Sequence, residues 1–254
     1  MYRLLVSEIS EKPLSHLLEN MKHTVIITPT NQYIADALLS QGINIIPTHR
    51  IAELRDNEQF HADMQICIIR DTAFIPENCH RTAIKAKEFG YNIKFCKQLS
   101  AKYPQNILLN VALIGNKLFC KEADVATEIK EYCTEHNIEI INVNQGYTKC
   151  STLVLSDKAI ITADPSISKA AAEQGIEVLR ITPGYIVLDD ADYGFIGGAS
   201  GVIGDTVYFF GDIHTHPDHR EILCFLTKHN MKYFSLYSGP MNDIGGFVYL
   251  GKTE

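Results

Sequence analysis

The sequence is poor in the features that mark a nucleic-acid-binding, membrane or disulfide-built protein. Positive charge is the scarcer sign: 23 Lys and Arg stand against 30 Asp and Glu, a formal net charge of −7. That balance argues against nucleic acid or an anionic membrane as the main partner. No apolar run is long enough to span a bilayer. The opening M-Y-R-L-L-V-S-E-I-S meets an acidic residue too early for a secretory leader. Seven cysteines, an odd number with no C-x-x-C pair, read as reduced thiols rather than a disulfide framework or a zinc ribbon. The expected location is therefore the cytoplasm. What is present is ordinary: 254 residues, 46% hydrophobic and 21% charged, enough for a sizeable α/β core.

The strongest positive signal is an internal repeat. Five times an amphipathic segment ends in Gly or Asn and runs directly into a short apolar strand, at Gly42, Gly90, Asn137, Gly175 and Asn230. These residue types tolerate the left-handed conformation that ends a helix. Pro29, Pro76, Pro165 and Pro217 fall near the expected helix starts, where a missing N–H is harmless. Ahead of the later helices come hairpins whose turns are Gly115-Asn116, Asp157-Lys158 and Gly204-Asp205. The unit is strand–strand–helix–strand, about fifty residues long. In the second unit, I-C-I-I-R-D-T-A-F-I-P offers no obvious turn. The first unit opens at H-T-V-I-I-T without its leading strand and continues into a helix over 31–40, while G-G-F-V-Y-L-G from Gly245 is a strand with no helix after it. Joining these two ends closes a ring and removes exposed sheet edges. The expectation is one domain over 1–254, an α/β propeller of five ββαβ blades closed by the C-terminal strand, with M-Y-R-L-L-V as an extra edge strand. An open doubly wound sheet is the competing architecture, and the hairpins favour the propeller.

Five such units closed by a C-terminal strand resemble the pentein superfamily, the fold of guanidino-modifying deiminases, dimethylarginine dimethylaminohydrolase and amidinotransferases. It also includes a non-catalytic ribosome anti-association factor. The motifs N-Q-G-Y-T-K-C-S, P-G-Y-I-V-L, Y-G-F-I-G-G-A-S-G and N-D-I-G-G further resemble a bacterial family of unknown function with that fold. The resemblance covers roughly the last 150 residues by motif and the first hundred through the repeat. It implies chemistry on a guanidino or amide carbon by a cysteine in the last unit. Here that place reads N-D-I-G-G-F-V-Y, with no thiol, and no strand start contains the histidine that those enzymes place there.

An antiparallel hairpin sets the start of its first strand beside the end of its second. One mouth of the ring should then gather Cys150, Asp164, Asp212, His214, His216 and Asp243 over a floor containing Gly197, Gly198 and Ser200. In the catalytic reading Cys150 is the nucleophile, His214 or His216 moves protons, and Asp164 and Asp243 hold a cationic group of a small ligand. Each has a plainer role: a packed small residue for Cys150, a helix cap for Asp164, a turn for Asp243, close backbone approach for the glycines. A non-catalytic pentein that binds a small molecule or a protein partner is the alternative. A third reading takes D-I-H-T-H-P-D-H as an extended segment on which His214 and His216 share a metal ion in a hydrolase. The leading reading needs neither metal nor other cofactor.

Overall fold

Five separate sheets of three strands follow one another along the chain in the computed structural model, which describes residues 23–30 and 32–251. The first sheet is β1 (His23–Ile27) between β2 (Ile43–Pro47) and the C-terminal strand β15 (Phe247–Tyr249). The next comprises β3 (Cys67–Ile69), β4 (Thr72–Pro76) and β5 (Asn92–Cys96). The third comprises β6 (Ala112–Ile114), β7 (Lys117–Cys120) and β8 (Glu139–Asn142). The fourth is β9 (Thr152–Ser156), β10 (Ala159–Thr162) and β11 (Glu177–Arg180). The last is β12 (Ser200–Ile203), β13 (Thr206–Phe209) and β14 (Lys232–Ser235). In every sheet the middle strand has one antiparallel and one parallel neighbour. The parallel neighbour is reached through a helix: α1 (Gln32–Ser40), α3 (His80–Glu88), α4 (Thr127–Glu135), α5 (Pro165–Glu173) and α6 (His219–Lys228). A further short helix, α2 (Ala62–Gln65), leads into β3.

The strand missing from the first unit is supplied by the chain end: β15 lies antiparallel to β1, with Val25 opposite Tyr249 and Ile27 opposite Phe247. No sheet closes on itself. The strand M-Y-R-L-L-V lies outside the described residues. All five helix-to-strand residues have positive φ, from 53° at Asn137 to 82° at Gly90, which is why Gly or Asn recurs there. The second unit does carry a two-residue turn, Arg70-Asp71, pairing Ile69 with Thr72. It was hidden because Arg70, at φ 55°, fills a place usually given to Gly or Asn. Pro165 is the first residue of α5, whereas Pro76 ends β4 and Pro217 lies two residues before α6.

Strand alternation divides the apolar side chains between neighbouring cores. Ile26 packs with the second unit, among Ala73, Ile75 and Ala83. Its neighbours Val25 and Ile27 pack with the fifth, among Ile203, Tyr208 and Phe210. Three more cores join the second unit to the third, the third to the fourth and the fourth to the fifth. The middle strand of each sheet is thus buried on both faces and is mostly apolar, while the outer parallel strands keep polar, exposed residues. The antiparallel strand of each sheet turns one residue instead toward a space common to all five: Ile68, Leu113, Val154, Val202 and Val248 line one cavity of about 770 Å³. No described helix is long and apolar enough to cross a membrane.

Candidate functional site

The segments entering the antiparallel strands meet at one end of that shared space. Cys150 sits two residues before β9, at the end of a turn held by Ser151 N–H to the Tyr147 carbonyl, 2.9 Å, and Thr152 N–H to the Lys149 carbonyl, 3.1 Å. Three other units grip it. Its N–H donates to Asn110 Oδ1 at 3.1 Å and its carbonyl accepts from Gly198 N–H at 3.0 Å. Its thiol donates to Asp63 Oδ2 at 2.9 Å, and Asn110 Nδ2 donates to the sulfur at 3.0 Å. The first unit contributes Asp243, whose Oδ2 accepts from Phe195 N–H at 2.9 Å and Oδ1 from Gly245 N–H at 3.0 Å. Asp63, Asn110, Cys150 and Asp243 are all buried.

A cavity of about 340 Å³ opens on this cluster, lined by Glu58, His61, Tyr147, Cys150, Phe195 and Asp243 among others. Glu58 is fixed there by Tyr147 O–H at 2.9 Å and Asn106 Nδ2 at 3.1 Å. Asp63 faces the larger, five-sheet cavity instead. The cluster therefore forms a partition between two chambers, one polar and acidic, the other mostly aliphatic.

Burial is the dominant electrostatic fact. It pushes the Cys150 thiol well above its ordinary range, and the charges of Asp63 and Asp243 push the same way, with Asn110 opposing. Burial lifts Asp63 from 3.8 to about 6 against the pull of His61 and Lys149. Asp243 is raised for the same reason, opposed by His61 and by its hydrogen bonds to backbone N–H groups. Cys150 is thus a protonated thiol whose nearest acceptor is a carboxylate with unusual appetite for a proton. Anything positive brought beside Asp63 and Asp243 lowers the charge that holds the thiol neutral.

Of the residues expected at one mouth, the structure brings Cys150 and Asp243 to the same cavity. Gly197 and Gly198 are packed into the wall behind: a Cβ on Gly198 would lie 1.9 Å from Asp243 Oδ1, and one on Gly197 2.3 Å from the Lys149 carbonyl. Ser200 opens β12 with its hydroxyl on the Ile196 carbonyl at 2.6 Å. Asp164 caps α5, accepting from Ser166 and Ile167 N–H at 2.8 and 2.9 Å, and borders a separate cavity of about 180 Å³. Asp212, His214 and His216 do not line the Cys150 cavity. Residues 213–215 form a 3₁₀ turn, so the extended segment on which two histidines share one side does not exist. His214 is exposed and bonded to Asp212 at 2.8 Å. His216 is buried, with Nδ1 accepting from Asp218 N–H. Among the described residues no group of three or more His, Cys, Asp or Glu could hold a metal ion.

Sequence reasoning missed Glu58, His61, Asp63 and Asn110. The second unit does place a histidine before its strand: His61 precedes α2, and H-A-D then runs into β3. The signal was available in H-A-D-M-Q-I-C and L-L-N-V-A once each unit is aligned on its strand rather than on its turn.

The same architecture occurs in solved structures at low sequence identity. A cysteine-to-serine variant of dimethylarginine dimethylaminohydrolase from Pseudomonas aeruginosa, complexed with citrulline, superposes with a TM-score of 0.52 at 11% identity, covering 88% of this chain and 95% of that one. A histidine-to-glycine variant of a dimethylarginine dimethylaminohydrolase, as an adduct with S-methyl-L-thiocitrulline, gives 0.52 at 11%, covering 84% and 91%. An inosamine-phosphate amidinotransferase from Streptomyces griseus gives 0.50 at 11%, covering 84% and 75%. The fold is that of the penteins. No functionally curated protein matches the sequence significantly. The model of a family described as a family of unknown function (DUF6873) matches residues 15–248, and the chain belongs to that family.

Proposed function

We propose that this protein is a cysteine-dependent pentein acting on a small guanidino, amidino or amide compound in the cavity at Cys150. The observation that carries the reading is the Cys150–Asp63 contact of 2.9 Å beside a second buried carboxylate, Asp243. A cationic group of the ligand sits against Asp243 and Glu58 and offsets the charges that keep the thiol protonated. Cys150 Sγ then bonds to the central carbon while its proton passes to Asp63 Oδ2. The leaving nitrogen departs as ammonia or an amine with a proton from His61, and water releases the carbon from sulfur. The low-identity relatives that act on dimethylarginine or transfer amidino groups support the substrate class through the fold only.

The five cores, each shared by successive sheets and the last joining the fifth unit to the first, support a five-bladed propeller as the arrangement of this one domain. The net negative charge supports a small-molecule partner over nucleic acid, and the unpaired thiols support a cytoplasmic setting. A second reading, a non-catalytic pentein that binds the ligand without turnover, is favoured by one detail. The thiol's hydrogen-bond partners are Asp63 and Asn110, with no histidine bonded to it.

A panel of guanidines, amidines and primary amides, assayed for released ammonia, amine or urea with Cys150→Ala as control, tests the catalytic reading. Product formation lost in the variant is expected. Calorimetric binding without product from any member selects the second reading. Neither binding nor product across the panel removes both.

A further inference from the structure

We propose that the cavity shared by the five sheets is a second ligand site, a channel for a neutral primary amide carrying a linear alkyl tail. Its wall takes one aliphatic side chain from the antiparallel strand of each sheet: Ile68, Leu113, Val154, Val202 and Val248. These five side chains offer no partner to a polar tail, and the lining tyrosines Tyr91 and Tyr249 already pair their hydroxyls with the Gly251 carbonyl and His23 Nδ1, whereas each methylene withdrawn from water tightens binding about fourfold.

The inner end is different in kind. Asp63 Oδ1 is buried and has no hydrogen-bond partner, although the side chain is only 2% exposed. An unmade bond at a buried carboxylate oxygen is expensive and calls for a donor. Lys149 lines the same end, and its ammonium reaches only a long 3.5 Å contact with the Gly197 carbonyl. One carboxamide answers both, its N–H donating to Asp63 Oδ1 and its carbonyl accepting from Lys149 Nζ. A carboxylate head gains Lys149 but faces Asp63, and an ammonium head gains Asp63 but faces Lys149; the neutral amide pairs with both and meets no like charge. At the other end, Arg70 and Asp71 are committed to Asn116 and to Tyr132 and Asn92, so they do not compete for the ligand. Residues 66–70 run along the wall for about 13 Å, room for a tail on the order of ten carbons.

This site shares only Asp63 with the proposed reaction, through the other carboxylate oxygen, and involves no covalent step, so it stands whether or not Cys150 turns anything over. The chain contains no tryptophan, so Tyr249→Trp at the channel wall gives a single fluorescent reporter. Titration with the series butanamide to decanamide should show affinity rising about fourfold per added carbon. Octanamide should bind at least tenfold more tightly than octylamine or octanoate. Val154→Phe, which narrows the channel, should abolish binding; Leu113→Ala, which widens it without overpacking, should weaken octanamide severalfold while the protein stays folded by circular dichroism. Affinity that ignores tail length, a carboxylate or amine binding as tightly as the amide, or unchanged binding in folded Leu113→Ala would each overturn the proposal.

Discussion

Asp63 gives the sharpest quantitative expectation. Its carboxyl is lifted from 3.8 to about 6, chiefly by burial, so the folded state binds its proton more tightly than the unfolded chain does. A group raised in this way contributes its full stability below pH 4 and loses it as pH climbs through about 6. That difference in proton affinity amounts to about 3 kcal/mol. Asp63→Asn keeps the shape and a hydrogen-bond acceptor for the Cys150 thiol but has no charge to bury. Urea denaturation of the two proteins at intervals from pH 4 to pH 8 should therefore give equal stabilities at the acid end. The variant should be more stable by about 3 kcal/mol at pH 7. His49 and His216, which burial pushes down, pull stability the other way between their folded values and 6.5, but equally in both proteins, so the difference curve removes them. Asp243, raised by the same burial, repels the Asp63 charge, so the two protons leave in separated steps and the curve is broadened. A difference that is flat with pH, or a wild type more stable at pH 7, would refute the idea that a destabilising buried charge is kept at this position.

Two further outcomes follow from the same cluster. Gly198→Ala drives a methyl against Asp243 Oδ1 and should destabilise by about 1–3 kcal/mol by thermal or urea unfolding, with loss of ligand binding at the Cys150 cavity; an unperturbed variant would mean that Asp243 is free to move. With iodoacetamide at neutral pH, Cys224, the exposed cysteine, should label first and Cys150 slowly, as located by peptide mass spectrometry. A small guanidine at non-denaturing concentration should then accelerate labelling at Cys150 if a bound cation offsets the two carboxylates, and an unchanged rate would remove that role.

The repeat was legible because its punctuation is stereochemical. Gly42, Gly90, Asn137, Gly175 and Asn230 all end helices with positive φ, and few residue types serve there. The C-terminal strand was legible by subtraction, one unit lacking a strand and one strand lacking a unit. The site was only half legible. Cys150 and Asp243 stood out as chemistry at strand starts, but the sequence does not say how far each unit's leading segment reaches before its strand. In the second unit α2 intervenes between His61 and β3, and Arg70 disguises the turn, so the segment ahead of the strand was not read as part of the mouth and His61 and Asp63 went unseen. His214 and His216 failed for the opposite reason. Adjacency in sequence suggested a shared side, and a 3₁₀ turn of three residues rotated them apart.

A fivefold repeat would by itself build a fivefold mouth, with the same residue arriving from each unit. What breaks the symmetry here is the residue that each unit's leading segment brings to the cluster: Asp63, Asn110, Cys150, Gly198 and Asp243. The glycine is as informative as the acids. Any side chain at 198 would occupy the space of the Asp243 carboxylate, so the fifth unit's contribution is room. Removing its side chain lets a second acid be fully buried within reach of the thiol's field. Two desolvated acids and a neutral thiol form a poor structural core, since each charge costs stability and one oxygen has no partner. Such an arrangement is maintained against the grain of folding, which is the physical reason to seek function at this cluster rather than at the exposed His214–Asp212 pair ahead of the last helix.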